Sequence, residues 1–126
     1  MKYIAFTTLL LLALAIPSAA QVEEAKASYN RYLQVVATGK SFKELQPFYS
    51  KKAWAGLTKD SASMPGFDQG MMKVLRGMMA GTKVVSASQE GANVKIITET
   101  PGQNGSKPLK GSAVLKKENG AWVQDG

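Results

Sequence analysis

The sequence predicts an α+β fold in which helices come first and an antiparallel β-meander follows. Three observations support this class. Up to about residue 80, apolar residues recur at steps of three and four, which is the spacing of one helix face. From residue 83 the step changes to two, the spacing of one strand face. Near the end of the chain, Asn119-Gly120 is a strong short signal for a β-hairpin. Helices followed by hairpin-linked strands are typical of α+β proteins.

The first twenty residues have the layout of a secretory signal peptide. Lys2 provides a positive start, an apolar run extends from Ile4 to Ile16, and small residues follow Pro17. This pattern predicts cleavage after Ala20, and the apolar run is too short to span a bilayer. We therefore expect an exported protein, periplasmic or secreted, in which residues 21–126 form a single domain.

The first helix is predicted from Gln21 to Thr38. Glu23 and Glu24 are expected in its first turn, where acidic side chains stabilise the positive end of the helix dipole. Gly39 follows the last turn and predicts the end of the helix. Its apolar face consists of Val22, Ala25, Tyr29, Tyr32, Leu33 and Val36.

A second helical segment is predicted to begin at Ser41. Ser41 and Glu44 have the spacing of a capping box, which satisfies two free N–H groups at a helix start. Pro47 is incompatible with a long helix, so we expect a short turn and a kink. Ser50 is then positioned to cap a restart that runs from Lys51 to Leu57.

After a loop over residues 58–66, Asp68 is expected to cap a third helix that runs to about Ala80. Lys73 and Arg76 are expected to face solvent. The apolar face of this helix is predicted to contain Phe67, Met71, Leu75, Met78 and Met79.

Four strands are predicted in the remainder of the chain, over residues 83–89, 93–100, 109–117 and 121–124. Turns and polar connections separate them. In the second strand, Val94, Ile96 and Thr98 share one face. Asn119-Gly120 predicts a type I′ turn between the last two strands.

Three segments carry a resemblance to a known family: the end of the first helix at residues 32–40, the stretch Phe-Lys-Glu-Leu-Gln-Pro-Phe-Tyr-Ser at 42–50, and the closing hairpin at 114–123. Together they resemble small exported members of the nuclear transport factor 2-like superfamily, also called the cystatin-like or ketosteroid-isomerase-like cone. The resemblance implies helices packed on a curved, cone-like sheet around a pocket, and pairing of two copies through their sheets. Members of this superfamily include isomerases, dehydratases and binding modules, so the fold does not choose the function.

Composition excludes the commonest catalytic and metal-binding arrangements. The chain has no histidine and no cysteine. It therefore has no histidine base, thiol nucleophile or disulfide, and it lacks the usual zinc ligands. Asp60 and Asp68 lie in or beside a loop and Asp125 lies at the tail, so none matches the base of the isomerases that the chain resembles. We expect no catalytic residue, no metal and no cofactor.

A non-catalytic binding domain is the favoured function, with an apolar small molecule or an envelope protein as partner. The alternative is an isomerase- or dehydratase-like enzyme that uses a buried carboxylate with Tyr32 as proton donor. The candidate pocket residues are Tyr29, Tyr32, Trp54, Met71, Leu75 and Met78. Ordinary core packing also accounts for these aromatic and methionine side chains, and methionines can also bind Cu(I).

Charge leaves one further function open. The formal net charge is +7, and Arg31 and Arg76 are the only arginines. Lysine clusters lie at 51–52, 107, 110 and 116–117. Such surfaces are typical of solubility and of protected sheet edges. The alternative is a protein that binds anionic envelope surfaces through its lysines, whereas export argues against a nucleic acid partner.

Overall fold

The computed structural model describes residues 16–59, 61 and 64–125. The strands form one curved, open antiparallel sheet in the order β1-β2-β3-β4, with the helices packed on it, so the predicted α+β class is confirmed. The elements are helix α1 (Ala19–Thr38), a 3₁₀ helix (Phe42–Phe48), helices α2 (Lys51–Leu57) and α3 (Phe67–Met78), and strands β1 (Lys83–Glu90), β2 (Asn93–Thr100), β3 (Leu109–Glu118) and β4 (Ala121–Gln124).

The apolar run of the predicted signal peptide falls outside the described residues, apart from Ile16. Among the helices that the structure does describe, none is long and apolar enough to cross a membrane.

Helix α1 begins two residues earlier than the sequence predicts, because Ser18 caps it. The Ser18 hydroxyl accepts a hydrogen bond from the Gln21 backbone N–H at 3.2 Å. The Gln21 side-chain carbonyl accepts one from the Ser18 backbone N–H at 3.0 Å, which completes a capping box. Glu23 and Glu24 consequently lie beyond the first turn, contrary to expectation. Gly39 ends the helix as predicted.

Helix α3 packs against the end of α1 and the residue that follows it. A Cβ atom at Gly39 would lie 2.6 Å from the Val35 carbonyl oxygen and 2.8 Å from Cε of Met72, so glycine permits this close approach. Arg76 is exposed, as expected, and it also makes contacts within the chain. Its Nε donates to the Val36 carbonyl at 3.1 Å, and its guanidinium also donates to the Gly39 carbonyl. Arg76 thereby satisfies carbonyls that the end of α1 leaves without helical partners.

The kinked second segment is confirmed. Ser41 and Glu44 form both bonds of the predicted capping box. Pro47 lies inside a 3₁₀ helix, whose short tight turns tolerate it better than a long α-helix does. The Ser50 hydroxyl accepts a hydrogen bond from the Ala53 backbone N–H at 3.0 Å and caps the restart.

Two expectations for α3 are wrong. Gly66, in the left-handed conformation with φ of 75°, occupies the N-cap position that Asp68 was expected to fill. Met78 is 69% exposed, whereas Met72 is 2% exposed and packs in the core. The helix begins two residues earlier than a cap at Asp68 allows, and its buried face is centred on Met72 and Leu75.

The strands follow the predicted pattern closely. On β2, Val94, Ile96 and Thr98 are all buried and face the helices. Asn119 and Gly120 both have positive φ, at 51° and 82°, as a type I′ turn requires. Within the sheet, strand β4 pairs with the last four residues of β3, from Leu115 to Glu118.

Candidate ligand-binding groove

The six residues that were expected to line one pocket lie in separate surroundings. Tyr29 and Tyr32 are buried in the core. Met71 and Leu75 are half-buried against that core, while Met78 is exposed on the last turn of α3. Trp54, alone among the six, lines an open groove at the surface.

Side chains fill the space between α1 and the sheet. The hydroxyl groups of Tyr32 and Tyr49 are hydrogen-bonded at 2.8 Å, and the Tyr32 hydroxyl lies 3.8 Å from Sδ of Met79. A ligand in this space would have to displace packed rings and this hydrogen bond. The buried residues that fill the space are Ala25, Tyr29, Tyr32, Val36, Val94, Ile96, Leu115 and Trp122.

The tyrosines of this core are held in their neutral form. Burial, followed by the neighbouring Tyr32, raises the pKa of Tyr29 to about 12. Burial is also the main cause that raises the pKa of Tyr32 and of Tyr49. Removing a phenolate from water is costly, so these hydroxyl groups stay protonated near neutral pH.

The enzyme alternative requires a buried carboxylate close to Tyr32. Of the nine carboxylic side chains, Asp60 lies outside the described residues. None of the other eight is buried. Within the described part of the chain, the Tyr32 hydroxyl bonds to Tyr49 and Met79 and to no acid. The described residues also contain no group of three or more acidic side chains that could hold a metal ion.

A groove of about 780 Å³ opens between the 3₁₀ helix, α2 and the start of α3. Three aromatic rings form its apolar wall. Phe42 stacks on Trp54, with ring centroids 5.0 Å apart and planes 21° apart. Phe67 meets Phe42 edge-on at 6.0 Å. Phe42 is almost fully buried and Trp54 and Phe67 are half-buried, so the last two rings reach the groove surface.

Local sequence signals place these rings together. The 3₁₀ helix, with Pro47 in its last turn, stops at Phe48, and Ser50 caps α2 immediately afterwards. The resulting change of direction brings α2 back over the 3₁₀ helix, so that Trp54 covers Phe42. The kink that the sequence predicts is therefore the feature that builds this wall of the groove.

One carboxylate ties the two sides of the groove together. Oδ2 of Asp68 accepts a hydrogen bond from the Ser41 hydroxyl at 2.6 Å, and Oδ1 accepts one from the Lys43 backbone N–H at 3.2 Å. Asp68 lies in the first turn of α3, and its partners lie at the start of the 3₁₀ helix. Both of its oxygens are engaged, so Asp68 acts as a link between these helices.

The remaining polar lining can contact a ligand. Thr58 and Ser61 use their hydroxyl protons on backbone carbonyls, and their oxygens can still accept. The Gln46 and Gln69 amides and the Lys43 side chain also line the groove. An exposed methionine, Met64, adds apolar surface at the rim. The groove combines an aromatic wall with neutral hydrogen-bonding groups, one cation and the Asp68 carboxylate.

The lysine pair on β3 is engaged within the chain. Nζ of Lys116 lies 3.2 Å from Asp125 and 3.8 Å from Glu118. Lys117 lies 3.9 Å from Glu24, with its Nζ 5.5 Å from the centre of the Trp122 ring. These ion pairs offset part of the positive charge that binding to an anionic envelope surface would require.

The sequence pointed to Trp54 but not to the rings beside it. Phe42 and Phe67 flank helix starts, where an apolar residue is as typical of the core as of a groove. The pair of Ser41 and Asp68, 27 residues apart, has no local sequence signal.

No family model matches this chain, and neither a curated protein nor a solved structure matches it.

Proposed function

We propose that the chain is an exported, non-catalytic binding domain of the nuclear transport factor 2-like type. Its ligand is a small apolar molecule, and its site is the groove beside Phe42, Trp54 and Phe67. The observation that carries the proposal is the aromatic wall of this groove. The volume of about 780 Å³ falls in the range of small-molecule sites. The filled interior favours this outer position over the cone itself.

The lining favours a ligand with an apolar body and one polar end. The rings of Trp54 and Phe67 offer area for a flat or branched hydrocarbon group. The Lys43 ammonium and the Gln46 and Gln69 amides are suited to a carboxylate, sulfonate or hydroxyl at the rim. Export is supported by the leader-like sequence of residues 1–20.

The dye 1-anilinonaphthalene-8-sulfonate tests this proposal, because it has aromatic rings and one anionic end. Titration into the exported protein should give saturable fluorescence with a stoichiometry of one. Removing one of the two rings that reach the groove surface, in Trp54→Ala, should weaken binding about tenfold or more, which is about 1.4 kcal/mol. Lys43→Gln, a change of an exposed side chain, should weaken binding less and remove part of its salt dependence.

Met78→Ala is the matched control, since Met78 is an exposed apolar residue of α3 that does not line the groove. It should bind the dye like the wild type. Near-ultraviolet circular dichroism verifies that each variant keeps its packed core, because loosened proteins also bind this dye. Equal affinity in the wild type, Trp54→Ala and Lys43→Gln would contradict the proposed site.

A further inference from the structure

Gln21, at the start of α1, has different hydrogen-bond partners depending on whether the predicted signal peptide, residues 1–20, is still attached. In the uncut chain, Ser18 and Gln21 hold each other through two reciprocal hydrogen bonds of 3.2 and 3.0 Å. The peptide bond between Ala20 and Gln21 lies in the first helical turn. A protease requires locally unfolded chain, so cleavage there takes place before this turn forms or while it is open.

Cleavage after Ala20 would remove both hydrogen bonds in one step. The backbone nitrogen of Gln21 becomes a terminal amine, and its carboxamide loses the Ser18 N–H that it accepted. Gln21 is only half-buried, so the core does not lock its side chain. The new positive charge would lie at the positive end of the helix dipole, which is unfavourable.

We propose that Gln21 is a modification site, and that in the mature chain it closes to an N-terminal pyroglutamate. The unprotonated amine nitrogen attacks Cδ of its own carboxamide and forms a five-membered lactam. The bond from Cδ to Nε2 breaks, and Nε2 leaves as ammonia with the proton that the amine gives up. The step needs no co-reactant, and α-amino groups are partly unprotonated near neutral pH.

Cyclisation changes the electrostatics of the start of α1. The lactam is neutral, so the unfavourable positive charge disappears. Glu23 and Glu24 then lie within the first turn of the shortened helix, where negative side chains are favourable. The inference rests on the proposed export and on cleavage after Ala20, but not on the groove.

Mass spectrometry of the exported protein, purified from its host, tests this site. Trypsin cuts after Lys26, so the N-terminal peptide is 21–26. We expect this peptide to lack one ammonia and to be unreactive towards amine reagents. Peptide mapping is needed because Asn104-Gly105 and Asn119-Gly120 can also lose ammonia through backbone succinimides. Gln21→Glu is the control: it cyclises far more slowly and would lose water, so its peptide should keep a reactive amine.

Each outcome bears on a separate claim. A mature chain that begins at Gln21 and keeps an open amine after prolonged incubation would overturn cyclisation and leave export standing. A chain that keeps its leader, or begins at another residue, would overturn this modification site and the cleavage position. Neither result affects the dye titration, which tests the groove separately.

Discussion

Tyr32 lies at the centre of a cluster of aromatic rings. Its ring centroid is 5.3 Å from that of Tyr29, 5.8 Å from Phe48 and 5.7 Å from Tyr49. Tilted and edge-on pairs at these distances add stabilisation beyond that of buried area. The cluster joins α1 to the 3₁₀ helix and the residue that follows it. Ionisation of its tyrosine hydroxyl groups would therefore affect the packing of the whole core.

Ionisation of these tyrosines should destabilise the fold at high pH. The folded pKa of Tyr29 is about 12 and its ordinary value is 10.0, so the folded state holds the proton more tightly. The stabilisation is fully present below about pH 10 and is lost as the pH rises towards 12. We expect the free energy of unfolding in urea, measured from pH 8 to 12, to fall steeply above pH 10.

Tyr29→Phe keeps the ring and removes one ionisable group, so its stability should fall less over the same pH range. Tyr32→Phe should cost about 1 kcal/mol already at pH 8, because it removes the hydrogen bond to Tyr49. Parallel pH curves for the wild type and Tyr29→Phe would show that Tyr29 does not contribute.

Sequence spacing identified the buried positions of α1 but not what they face. Tyr29 and Tyr32 recur on the helical period whether the space opposite them is a cavity or a packed sheet. Whether that space is filled depends on side chains of β2 and β3, more than 60 residues away. The sequence therefore predicted burial correctly, and the choice between pocket and core required the structure.

At the scale of elements, the 3₁₀ helix and α3 share Asp68 as a link. Asp68→Ala should remove both hydrogen bonds and a negative charge from the starts of two helices. We expect a loss of about 1 to 2 kcal/mol in the free energy of unfolding, as for the loss of a helix cap. Thermal and urea unfolding provide the measurement.

Gln69→Ala is the control for this link, because Gln69 is the neighbouring residue on the same turn and is exposed. Its effect should stay within about 0.5 kcal/mol, as is usual for surface changes. Asp68→Asn keeps one acceptor oxygen and should fall between the two. Equal stability of Asp68→Ala and Gln69→Ala would mean that other contacts hold the two helices together.

Elements with local signals could be predicted, and links between distant elements could not. The Ser41–Glu44 capping box, the Pro47 kink and the Asn119-Gly120 turn depend on residues within a few positions of one another. By contrast, Arg76 bonds to Val36 across 40 positions. On sequence alone, an arginine on the polar face of a helix is typical of solvent exposure. No local pattern therefore indicated that Arg76 binds the end of α1.

At the scale of the whole molecule, the last strand is joined to the start of α2. The Gln124 carbonyl accepts a hydrogen bond from the Ser50 backbone N–H at 2.8 Å. Oδ1 of Asp125 accepts another from the Ser50 hydroxyl at 2.6 Å and lies 3.2 Å from Nζ of Lys116. These contacts connect the edge of the sheet to the helix that carries Trp54.

This junction should make stability sensitive to acid. The Ser50 hydrogen bond, followed by that of Lys116, lowers the pKa of Asp125 below its ordinary value of 3.8. The stabilisation is present above that ordinary value and is lost as the pH falls through the lower folded value. Asp125→Asn should therefore show a flatter stability profile than the wild type below about pH 4.

Two further variants separate the causes of this shift. Ser50→Ala should remove the larger part of the acid dependence, and Lys116→Gln a smaller part that high salt also removes. An acid profile of Asp125→Asn that coincides with that of the wild type would refute the role of this carboxylate.

The junction between Ser50 and Asp125 also determines when the groove can form during synthesis. The two residues are 75 positions apart, and a chain that emerges from its N-terminus delivers Asp125 long after α2. Helix α2 can fold early from its own cap, but its anchor to the sheet has to wait for the hairpin that precedes Asp125. A chain halted before β4 therefore has its three aromatic rings without the support that fixes α2, and synthesis through Asp125 is the condition for a finished groove.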